Sequence, residues 1–89
     1  MNALITVVGN DRVGIIAAIC VKLAEYNVNV LDLSQTILHN NFTMIMAVDL
    51  SKANKPFAEI AEALRVVGEG MELSIHMQRE EIFDAMHTI

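Results

Sequence analysis

The loop Gly9-Asn10-Asp11-Arg12-Val13-Gly14 gathers the residues of this chain best suited to hold a small charged molecule. An apolar, strand-like run ends at Gly9, and an apolar, helix-like run begins beyond Gly14. The loop therefore delivers the chain to a helix start, where unpaired backbone N–H groups attract anions. Asp11 can accept hydrogen bonds from an amino group, or it can cap the helix, as Asn10 also can. Arg12 can pair a carboxylate or stand in solvent. Gly14 can let a ligand carboxylate reach the backbone, or let the helix pack closely on the strand.

Catalysis needs paired acid and base groups, a nucleophile with its base, or a metal, and no convincing set of these is found. Cys20 falls within an apolar helical stripe and reads as core. His39 reads as a hairpin-end residue and His76 as a surface residue of an edge strand. Glu80, Asp84 and His87 fall at i, i+4 and i+7 of a terminal helix, a spacing that could gather metal ligands. With no cysteine or second histidine beside them, they read as a solvated helical face. The six methionines are scattered and read as core or interface filler. The chain is expected to be no enzyme and to carry neither cofactor nor metal.

The elements around the loop follow from apolar periodicity. Ala3 to Val8 reads as a strand apolar on both faces. Val13 to Tyr26 reads as a helix with Ile16, Ile19, Cys20 and Leu23 as its core stripe and Asn27 as a left-handed stop. Asn29 to His39 reads as a long strand. Val30, Asp32, Ser34 and Thr36 face one way, and Leu31, Leu33, Gln35 and Ile37 the other. Asn40-Asn41 is the predicted turn into a strand from Phe42 to Leu50. Pro56 opens a helix with Phe57, Ile60, Ala61, Leu64 and Val67 inward and Gly68 as its stop. Met71 to Gln78 alternates as a strand, with Met71, Leu73, Ile75 and Met77 inward. Arg79 to His87 reads as a short terminal helix. The order β-α-β-β-α-β is the split βαβ, ferredoxin-like α+β arrangement: a four-stranded antiparallel sheet with strands one and three central. The sheet face away from the helices is then partly apolar and needs cover from a partner chain or the terminal helix.

Bulk properties narrow the partners. The 89 residues make one domain, 1–89. With 54% hydrophobic residues and a mean hydropathy of +0.44, so small a domain exceeds what its interior can hide. A homo-oligomer, most simply a homodimer, is expected. No apolar run reaches the roughly 18 residues that span a bilayer, so no membrane partner is expected. The net charge is −5 and the six basic residues are scattered, which argues against nucleic acid. Cys20 is the only cysteine, so one chain forms no disulfide framework. Met1-Asn2 leads directly into a strand pattern with no signal-peptide features, so a cytoplasmic setting is expected.

The stretch Val8-Gly9-Asn10-Asp11-Arg12-Val13-Gly14-Ile15, followed by a helix ending Ala24-Glu25-Tyr26-Asn27-Val28-Asn29-Val30, resembles the ACT domain. Leu31-Asp32-Leu33-Ser34-Gln35-Thr36 is similar to that family's second strand. The ending from Ile82 to Ile89 is similar to stand-alone, single-domain ACT proteins of bacteria and archaea; the glycine-cleavage-system repressor and the N-terminal part of formyltetrahydrofolate deformylase are more distant look-alikes. The resemblance implies a regulatory module that binds a small molecule, most often an amino acid. It also implies two subunits paired side by side into one eight-stranded sheet, with the ligand at their interface. Carried over by position, the site is Asn10, Asp11, Arg12, Val13 and Gly14 of one subunit, with Asn29 and Val30 of the other. Asn29 can also be read as the end of the turn after the helix. Val13 stands where many amino-acid-binding members have proline, so the loop lacks that rigid φ. A module of this kind can act on a separate, regulated protein; it can also act as an interaction module with no ligand.

Overall fold

Alternation of apolar and polar residues sets the sheet. In the computed structural model, which describes residues 1–80, β1 (Asn2–Asn10) buries Ala3, Ile5 and Val7. After it come α1 (Ile15–Glu25), β2 (Asn29–Leu38), β3 (Asn41–Asp49), α2 (Phe57–Gly70) and β4 (Leu73–Arg79). The strands pair antiparallel in the order β2-β3-β1-β4, so the first and third strands are central, as expected from their two apolar faces. On β3, Phe42, Met44, Met46 and Val48 are all buried. Each such burial contributes about 1.5–3 kcal/mol. A one-residue slip would turn all four outward, which holds the register.

Both helices lie on one face of this sheet. Helix α1 buries Ile15, Ile19 and Leu23. The expected stripe is thus rotated: Ile16 and Cys20 lie at its margin, half-buried against the core. The helix ends as expected, with Asn27 in the left-handed region at φ 57°. Asn27 N–H donates to the Ala24 carbonyl and Val28 N–H to the Leu23 carbonyl, the paired bonds of a Schellman motif. Helix α2 buries Ile60 and Leu64 and runs through Gly68 to Gly70. Gly68 was expected to stop the helix. Instead it lets the helix close on β4, since a Cβ there would lie 2.7 Å from the Leu73 carbonyl oxygen.

Four further local expectations are corrected. The β2–β3 turn centres on His39-Asn40, at φ 51° and 68°, with Leu38 paired to Asn41. Two positive φ values make this a type I′ turn, one residue earlier than the Asn40-Asn41 pair. A bulge between Val30 and Asp32 breaks the expected alternation of β2. Val30 pairs with buried Val48, hence on the helix-bearing face, whereas Asp32 pairs with Ala47 on the other. Leu33, Gln35 and Ile37 then fall opposite Met46, Met44 and Phe42. Finally, α1 begins at Ile15, two residues after the expected start, and Arg79 belongs to β4. The rest of the expected terminal helix, with Asp84, His87 and the apolar Ile82, Phe83, Met86 and Ile89, lies outside the described residues.

The helix-free face carries Leu4, Thr6 and Val8 of β1 beside Thr43, Ile45 and Ala47 of β3. Val8 and Ile45 are about half exposed there, so this face is partly apolar, as the strand pattern implied.

Candidate functional site

The loop between β1 and α1 is built around Gly14. Gly14 occupies the N-cap of α1 at φ 91°, ψ 4°, a left-handed conformation that strains any residue with a Cβ. Its carbonyl accepts the first helical hydrogen bond, from Ala18 N–H at 2.9 Å. No side chain caps the helix, and its first turn holds no acidic residue. The capping role considered for Asp11 and Asn10 is therefore not taken. The N-terminal amides of α1 stay free to face a ligand carboxylate.

Asp11 is fixed by its backbone instead: its N–H donates to the Asn40 carbonyl at 2.7 Å, tying the loop to the tip of the β2–β3 hairpin. Its side chain is exposed and makes no hydrogen bond among the described residues. Arg12 Nη1 donates to the Met71 carbonyl at 3.2 Å, which anchors the guanidinium against the turn after α2. No carboxylate pairs with Arg12 among the described residues. Asn10 closes the ladder opposite Asn41. Val13 is 99% exposed, an apolar side chain at the loop apex with no neighbour covering it.

A cleft of about 320 Å³ opens beside this loop. Asp11, Arg12, Gly14 and the first residues of α1 form one wall, and Gln35, Ile37 and Phe42 the other. These last three were not anticipated. They lie more than twenty residues along the chain, and only the hairpin fold-back and the β2 register bring them to the loop. No local motif announces them.

The two halves of the expected site are separate within one chain. Asn29 pairs with Asp49, and Asp49 with Asn2, so Asn29 sits where β1 begins. The loop sits where β1 ends, one strand length away, or roughly 26 Å at about 3.3 Å per residue. Asn29 instead lines a second cleft of about 340 Å³ with Asn27, Val28, Asp49 and Lys52. There Asn27 Nδ2 donates to the Lys52 carbonyl at 2.8 Å. Asp49 accepts from Ser51 N–H at 2.9 Å and Ser51 Oγ at 3.0 Å. Those bonds, the backbone one foremost, hold the Asp49 carboxyl below the usual aspartate range. Val30 is partly exposed beside Asn29. Asn29 begins β2 and does not end the preceding turn, which Asn27 completes.

Residues 2–78 match the sequence profile of the ACT domain. The chain belongs to the ACT domain family. A UPF0237 protein of Listeria monocytogenes is 49% identical over 89 residues, covering the whole of both chains. Among solved structures, an ACT domain protein from Streptococcus pneumoniae is similar at TM-score 0.81 and 37% identity, over 93% of each chain. The regulatory subunit of aspartate kinase from Thermus thermophilus is similar at TM-score 0.67 and 25% identity, over 86% of this chain and 50% of that one. The ferredoxin-like order of the six elements is thus that of an ACT domain. Among its described residues, no helix is long and apolar enough to cross a membrane.

Proposed function

We propose that this ACT domain, residues 1–89 as one module, is a regulatory homodimer that binds an amino acid between its subunits. The observation that carries this reading is the position of the loop cleft against β2. β2 is an edge strand of ten residues, exposed almost throughout, with Leu31, Ile37 and Leu38 more than half exposed. A twofold axis that pairs this edge with its copy makes the two strands antiparallel and the sheet eight-stranded. The start of one β2 then meets the end of the other. The loop cleft lies at that end, through Gln35 and Ile37, so the partner's Asn29 and Val30 arrive at its mouth. Asp11 offers a carboxylate to an amino group, and Arg12 with the α1 amides offers donors to a carboxylate. Val13 gains cover. Binding at such a seam favours one arrangement of the dimer over another, which is how an effector is communicated to a regulated protein.

Equilibrium dialysis or calorimetry against the common amino acids tests the reading. Micromolar to low-millimolar binding is expected, lost in both Asp11→Ala and Asn29→Ala. Mixing those two variants and allowing subunits to exchange should restore about a quarter of the sites, because each mixed dimer has one intact site. A site built within one subunit would restore none.

A second reading is a protein-interaction module that works without a ligand, and the exposed Val8 and Ile45 on the helix-free face favour it. Partner capture that is unchanged by amino acids and by Asp11→Ala would support it over the first.

A further inference from the structure

The loop cleft has a chemical asymmetry that narrows its ligand beyond "an amino acid". Among the described residues, its only ionised side chains are Asp11 and Arg12, consecutive in the loop and opposite in charge. The rest of its lining is apolar save one residue: Ile15, Ile16, Ala17, Ile37 and Phe42 are hydrocarbon, and Gln35 is neutral. We infer that the cleft takes a neutral amino acid with an aliphatic side chain, an inference that rests on the ligand-binding reading above. The two loop charges answer the two charges of a zwitterionic head group. Among these lining residues and the partner's Asn29 and Val30, nothing ionised is then left to answer a charged side chain, which would lose its water against isoleucine and phenylalanine without a counter-charge. A three- or four-carbon aliphatic side chain instead removes its own apolar surface and that of Ile16 and Ile37 from water. Gln35 sits on the same strand face, pairing with Met44, where its amide can meet the backbone polar groups of a ligand without adding charge. The cleft volume of about 320 Å³ suits a ligand of this size.

The experiment is calorimetry on the full-length protein with leucine, isoleucine and valine against serine, aspartate and lysine, and with 4-methylpentanoate as leucine without its amino group. The aliphatic amino acids should bind at least about tenfold more tightly than aspartate or lysine, and 4-methylpentanoate should bind more weakly than leucine. Ile37 is half exposed on an edge strand, so Ile37→Lys should fold. It should weaken leucine binding about tenfold and raise the affinity for aspartate. If Ile37→Lys alters assembly by sedimentation, the wild-type series alone decides. Aspartate, lysine or serine binding as tightly as leucine would overturn the aliphatic class and leave the ligand-binding reading standing. Leucine affinity unchanged in a dimeric Ile37→Lys protein would overturn this cleft as the seat of the side chain. Binding of no amino acid would overturn both.

Discussion

Gly68 and Gly14 are the residues on which the two helices depend, for opposite reasons. Gly14 needs its φ of 91°, while the space around it is open; Gly68 needs its space, while its φ is ordinary. At Gly68 a Cβ would meet the Leu73 carbonyl oxygen at 2.7 Å and Ile75 Cγ1 at 2.9 Å. The first is backbone of a paired strand and has no room to give. Gly68→Ala is therefore expected to destabilise by about 1–3 kcal/mol, although alanine is the better helix former. Gly70, two residues on with open space around it, is the control: Gly70→Ala should be neutral or gain up to about 1 kcal/mol. Urea unfolding of the pair checks both, and equal stabilities would mean α2 can lift off β4 without loss. Propensity alone reads Gly68 as a stop, because sequence shows how poorly glycine propagates a helix and not what lies across from it.

At the scale of elements, β2 separates what the sequence reveals from what it hides. Its existence, its edge position and its pairing with β3 follow from apolar alternation and a turn-forming pair of residues. Its facing does not. The bulge at Leu31 is fixed by the ladder to β3, and it puts Val30 and Asp32 on opposite faces. The hairpin turn is offset by one residue because His39 accepts a positive φ, as histidine does more readily than most side-chain-bearing residues. The same blindness explains the site. Asp11, Arg12 and Gly14 are legible as a local motif, whereas Gln35, Ile37 and Phe42 join them only through register. The edge itself yields a prediction. Natural sheets protect such edges with lysine, and β2 has none. Leu31→Lys with Leu38→Lys changes two exposed side chains, so the subunit should keep its fold. It should weaken the dimer at least about tenfold by sedimentation, through repulsion and lost apolar cover. A double variant as dimeric as the parent would remove β2 from the interface.

For the whole molecule, the apolar balance leaves a surplus that the core of the described residues does not absorb. The core takes the inward residues of β1, β3, α1, α2 and β4, yet Val8, Val13, Ile37, Leu38 and Ile45 remain exposed among the described residues. Three of these belong to the loop and the β2 edge, the surfaces that the proposed side-by-side pairing would cover, and the other two to the helix-free face. If pairing contributes part of the folding free energy, stability must depend on concentration, because dilution favours separate unfolded chains over the folded dimer. A hundredfold rise in protein concentration changes the dimer's unfolding free energy by about 2.7 kcal/mol, which corresponds to a Tm higher by about 5–10 °C for two chains of this size. The Leu31→Lys, Leu38→Lys protein should show a flatter dependence, and an aliphatic amino acid should raise the parent's Tm further at any fixed concentration. Differential scanning calorimetry over that range tests the chain of reasoning from composition to assembly. A Tm independent of concentration would mean that the surplus apolar surface is covered within a single chain.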